Sequence, residues 1–177
     1  MVESGNAGAP GGDASLDRWV LLAYRLPREP SRPRLAVWRK LERLGVARLG
    51  DGLVALPADA RTREQFDWLA DEVSEAGGSA TVWLATPTAG GQERDLAEGM
   101  RAARAAEYQA VLAEATTAAA APATERARTV RRLRAELRRI GRRDFFPPPE
   151  RDQARAAVQA LAAEPREAGL DRQKERA

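Results

Sequence analysis

VARLGDGLVALP, residues 46–57, sets two short apolar runs on either side of Gly50, Asp51 and Gly52. Glycine and aspartate accept the positive φ of a tight reversal, so the stretch predicts a β-hairpin. Upstream, PSRPRLAVWRKLERLG (residues 30–45) has helical spacing. At about 100° per residue Val37, Trp38, Leu41 and Leu44 share one face, and Arg39, Lys40 and Arg43 take the other. Pro33 suits the first helical position, with Ser31 or Arg32 as cap, and Gly45 ends the helix. Before it, WVLLAYRL (residues 19–26) is a short apolar run stopped by Pro27, which predicts a buried strand.

Downstream of the hairpin, Thr62 and Gln65 have capping-box spacing and open a helix over about 63–76, with Phe66, Leu69, Ala70 and Val73 on one face. Glu64, Asp67, Asp71 and Glu75 occupy its other face, with Trp68 among them. Gly77 and Gly78 close it, and ATVWLA (residues 80–85) reads as a strand. Strand, helix, strand, strand, helix, strand predicts an α+β fold of the ferredoxin-like βαββαβ type: a four-stranded antiparallel sheet with both helices on one face.

Past TPTAGG the composition turns to Ala, Arg and Glu with no strand signal. One helix over about 92–119, a break at Pro122 and a second helix over about 124–140 predict an appended C-terminal α-helical hairpin, with a final short helix over 152–163. Val130, Leu133, Leu137 and Ile140 form a seam at 3-4-3 spacing that packs on another helix. Opposite the seam lie Arg128, Arg131, Arg132, Arg138, Arg139 and Arg142. The expected organisation is a disordered tail at 1–17, the sheet domain at 18–86, the helical appendage at 92–163 and a flexible tail at 164–177.

A chain of 177 residues, 44% hydrophobic and only 5% aromatic, supports a modest core. Cys and His are both absent. That removes thiolate nucleophiles, imidazole bases, Ser-His-Asp triads, disulfides, thiol-based reduction and zinc sites built on Cys or His. GVARLGDG and TAGGQE lack the Lys and Ser or Thr of a phosphate loop. No enzymatic activity, metal or cofactor is expected. No apolar run approaches the roughly 20 residues of a membrane span, and no apolar signal segment opens the chain, so a cytoplasmic location away from membranes is expected.

Net charge is only +3, yet 27 of the 29 bases are arginine. A guanidinium is a permanent cation with a planar donor fork that fits oxyanions, although a GC-rich genome yields the same bias. Residues 18–50 hold nine bases and two acids, residues 51–91 two and seven, and residues 124–145 nine and three, so two basic blocks flank an acidic one.

Two anion-binding surfaces are candidates. Arg32 and Arg34 stand at the start of the first helix beside free backbone N–H groups, with Arg39, Lys40 and Arg43 further along. The alternative is that the latter three are the solvated side of an amphipathic helix. The second candidate is the stripe Arg128, Arg131, Arg132, Arg138, Arg139 and Arg142, which would span several phosphates without regard to sequence. Six contacts imply a slope of log K against log salt near −5. The alternative docks the acidic helix face onto this stripe with Trp68 buried between them. Trp19, Trp38, Trp68 and Trp83 are expected to anchor the core more than to stack on bases.

The run WVLLAYRLPREPSRPRLAVWRKLERLGVARLGDGLVALP, the strand EAGGSATVWLA and the late RRDFFPPP together resemble the N-terminal domain of the ChrB chromate-resistance proteins, over roughly residues 19–161. More distantly, VWRKLERLG and GDGLVALP are similar to the middle domain of PaaX-type repressors and to the small ferredoxin-like nuclease of CRISPR adaptation. The nuclease needs a carboxylate at the end of the first strand, where this chain has Tyr24, Arg25 and Leu26. The ChrB resemblance implies a DNA-binding transcriptional regulator that holds the operator of a chromate-resistance operon and releases it when chromate is present. A homodimer would match a palindromic operator. Longer ChrB proteins continue into a second domain of comparable size, which leaves a separate sensor-domain protein as a candidate partner. A chromate-binding accessory and a protein-interaction module are the alternatives.

Overall fold

Gly52 takes φ +72° between β2 (Ala47–Gly50) and β3 (Leu53–Pro57), where a Cβ would collide with the Tyr24 carbonyl oxygen. Its own carbonyl accepts the Tyr24 N–H at 2.7 Å, so the turn is stitched to the neighbouring strand. This computed structural model describes residues 18–163; the tails expected at 1–17 and 164–177 lie outside the described residues. The remaining elements are β1 (Trp19–Arg25), α1 (Ser31–Leu44), α2 (Ala60–Glu75), β4 (Ser79–Ala85), α3 (Gly90–Ala118), α4 (Ala123–Gly141) and α5 (Glu150–Ala163).

The sheet runs β2-β3-β1-β4 with every neighbouring pair antiparallel, which is the predicted βαββαβ topology. Register places Val20 opposite Leu56 and Leu22 opposite Val54, so the four share a face. All four are buried in one core with Val37 and Leu41 of α1 and Phe66, Leu69 and Val73 of α2. On the opposite face Trp19, 1% exposed, meets Phe146 at 6.1 Å between ring centroids, and Leu96 and Met100 of α3 join the same core.

Helix starts differ from the sequence reading. Ser31 and Arg32 fall inside α1, and Pro30 holds its N-cap position without a side-chain bond. In α2 the box sits one turn earlier. Thr62 N–H donates to Asp59 Oδ1 at 2.6 Å and Asp59 N–H donates to Thr62 Oγ1 at 3.0 Å, so Asp59 is the cap and Gln65 is not involved. The Thr62 hydroxyl is then free to donate to the Pro57 carbonyl at 2.7 Å.

The appendage is larger than a hairpin. Tyr108, Val111 and Ala115 of α3, Val130, Leu133 and Ile140 of α4, and Ala154, Val158 and Leu161 of α5 make a second core, so α5 completes a three-helix bundle. Leu137 of the predicted seam is half-buried. The first half of α3 serves the sheet core and its second half the bundle core, which makes this 29-residue helix the beam joining the two.

Three of the four tryptophans are not core. Trp38 is 47% exposed, Trp68 65% and Trp83 59%. Trp38 lies about 100° from Val37, at the margin of the buried stripe. Trp68 lies on the outer face of α2, and Trp83 sits on an edge strand. No helix among the described residues is long and apolar enough to cross a membrane.

Candidate nucleic-acid interface

Helix α4 is built from strong helix formers, carries Glu125 in its first turn and Arg138 and Arg139 in its last, and follows Pro122 at its N-cap position. Its apolar seam turns inward to the bundle, which forces the arginines outward. Which of them are free depends on where carboxylates stand. Arg132 is clasped by Glu114 of α3, and Arg139 by Glu136 three residues before it at 2.6 Å. The hydrogen bond and charge of Glu136 push the Arg139 pKa above its ordinary value.

Arg128, Arg131, Arg138 and Arg142 are exposed and have no carboxylate partner among the described residues. Arg134, which the sequence reading left out, is exposed and unpaired as well. It lies nearer the seam on the helical wheel, where it leans toward α5. There Arg134, Arg138 and Arg142 line a shallow groove of about 540 Å³ with Arg155, whose guanidinium is 3.8 Å from Asp152. From Arg128 to Arg142 the helix rises about 21 Å. That is about six steps of a DNA strand at 3.4 Å each.

The α1 set divides differently. Arg34 donates to the Arg28 carbonyl at 2.8 Å and braces the β1–α1 loop, and Lys40 pairs with Glu72 of α2. Arg32, Arg39 and Arg43 remain exposed and have no ionic partner among the described residues. The predicted residues therefore occupy two separate surfaces, α1 on the sheet layer and α4 on the bundle. The suggested docking of α2 onto the stripe does not occur: Trp68 is open to solvent, and the ion pairs of α2 are Arg63–Asp67 and Lys40–Glu72.

Sequence reasoning missed one charged cluster. Arg104 and Arg143, with side chains only 11% and 12% exposed, clamp Glu107 at 2.8 and 2.5 Å. Arg143 also donates to the Glu42 carbonyl at 3.3 Å. Gly45 (φ +70°) lies against both guanidine side chains, and a Cβ there would strike Arg104. This cluster ties the end of α1 to α3 and to the end of α4. It is structural, and nothing in the spacing of the sequence distinguishes Arg143 from the free arginines beside it.

The family model described as Protein ChrB, N-terminal, matches residues 34–125, just over half of the chain. The chain belongs to the ChrB family. Comparison with curated proteins and with solved structures gave no match. The ChrB match runs from α1 through α3 to the first residues of α4. It includes Arg34, Arg39, Lys40 and Arg43, whereas Arg32 and the whole α4 row stand outside it. ChrB membership carries the association with chromate resistance and its regulation at the level of the family.

Proposed function

We propose that this ChrB-family chain is a cytoplasmic DNA-binding transcriptional regulator of chromate resistance that grips the phosphate backbone through α4. The observation that carries the reading is the row Arg128, Arg131, Arg134, Arg138 and Arg142, five guanidiniums along one helix face without carboxylate partners among the described residues. Guanidinium forks match phosphate oxygens, and such contacts position a protein on a duplex without reading its sequence. Base recognition would have to come from other surfaces.

Gel-shift titration of the full chain against the duplex upstream of its own gene tests the reading, at low salt and with or without chromate. A shift that weakens in the Arg131→Gln, Arg138→Gln double variant is the expected result. Absence of any shift at low salt ends the DNA reading.

A further inference from the structure

Helices α1 and α2 lie side by side on the sheet, tied by the Lys40–Glu72 ion pair, and their outer faces carry opposite charge. Arg32, Arg39 and Arg43 fall within about 40° of one another on the outer side of α1. Glu64, Asp71 and Glu75 do the same on α2. None of these six has an ionic partner among the described residues. Trp68 is exposed on the α2 side of this layer, whereas the exposed Trp38 and Leu35 lie on the flank of α1 turned away from α2. A groove of about 300 Å³ runs between the helices, with Arg43 on one wall and Trp68 on the other.

We propose that this helical layer is a homodimer interface whose occupant is a second copy of the chain. A two-fold interface must be complementary to itself. Turning a second copy by 180° about an axis along the groove sets α1 of each copy on α2 of the other. Arginine then meets carboxylate twice, and Trp68 of each copy, on the groove wall, is covered. DNA fits this face poorly, because phosphate would be attracted by α1 and repelled by α2. A purely basic or purely acidic partner fails on one half in the same way. Trp68 adds apolar area at the centre of such a contact, where interface aromatics are enriched.

Two helices some 21–24 Å long and about 10 Å wide present roughly 500 Å² of projected face per copy, at the small end of stable interfaces. The dimer is therefore expected to be micromolar and salt-sensitive. Sedimentation velocity of the full chain over about 1–100 μM brackets that range. The wild-type chain should show a mass that doubles with concentration, less readily at high salt. Arg39→Glu with Arg43→Glu should be monomeric, as should Asp71→Arg with Glu75→Arg, each raising Kd by roughly 100-fold or more. Mixing the two variants should restore a dimer, because each reversed face then meets its opposite. That rescue also shows that both variants fold. A wild-type monomer across the range, a variant that stays dimeric, or a mixture that fails to associate while retaining its helical circular dichroism overturns the proposal. So does an Arg39→Glu, Arg43→Glu chain that keeps its dimer and loses DNA instead.

Discussion

The reading of α4 predicts a number. If each of Arg128, Arg131, Arg134, Arg138 and Arg142 neutralises one phosphate, log K should fall against log salt with a slope near −4.5, at about −0.9 per contact. Arg132 and Arg139 add nothing, because each guanidinium arrives with its own carboxylate and the pair has no net charge with which to release counterions. The perturbation is Arg131→Gln, Arg138→Gln and Arg142→Gln together. Glutamine keeps helix propensity and much of the stem, so the bundle should stand. Two contacts remain and the slope should fall to about −1.8. Between 50 and 200 mM salt the wild-type chain should lose roughly 500-fold in affinity and the triple variant roughly 12-fold. Fluorescence anisotropy with a labelled duplex at four or more salt concentrations measures both slopes. The reasoning is refuted if Arg132→Gln moves the slope as much as Arg131→Gln does, since clasped and free arginines would then be equivalent. A wild-type slope shallower than about −2 refutes it equally.

Three further outcomes test the fold that presents this surface. Tyr108 is buried and donates its hydroxyl to Asp144 at 2.9 Å; burial first, then that carboxylate, pushes its pKa up to about 12. The folded state thus holds the phenol proton more tightly than the unfolded chain. Stability from this group should be complete below pH 10 and lost as pH rises through about 12, by an amount on the order of 2 kcal/mol, and Tyr108→Phe should flatten that loss in urea melts. Gly45→Ala should cost about 2 kcal/mol or more in the urea midpoint, because φ is +70° and the new methyl strikes the Arg104 guanidinium. Asp59→Ala should cost about 1 kcal/mol with an unchanged urea m-value, whereas Gln65→Ala, outside the cap, should leave the midpoint in place.

The sheet was legible because its signals are local. A Gly-Asp-Gly turn between apolar runs and two helices with clear buried stripes leave little freedom in the order of elements. The α2 cap was misread because Asp59 and Thr62 both suit the role, and spacing cannot choose between two adequate acceptors. Tryptophan defeated the reading more seriously. Its size argues for burial, but burial is decided by which strand is an edge and how wide each helix stripe is, and both are tertiary facts. The split of the arginines was not legible either. Arg143 and Arg142 are neighbours in sequence, yet one is locked between Glu107 and the Glu42 carbonyl while the other is open.

That split follows from α3. Glu107 and Glu114 stand two turns apart on α3 and reach Arg143, just past the end of the antiparallel α4, and Arg132 within it, so two carboxylates fix the side of α4 that faces its neighbour. The bundle core fixes a second side through Val130, Leu133 and Ile140. What remains of the helix circumference is a strip with Glu125 at its beginning and Glu136 already engaged, and arginines elsewhere along it. On α1 the same accounting runs the other way. Lys40 is spent on Glu72 and Arg34 on a carbonyl, and the three arginines left over stand beside a helix with three unspent carboxylates. A cation row whose neighbouring acids are only Glu125 at one end and the already engaged Glu136 is suited to a polyanion, and a cation row next to an anion row is suited to its own mirror order. The placement of carboxylates, more than the count of arginines, therefore separates the two surfaces, and it is the reason we propose DNA for α4 and a second copy for α1 and α2.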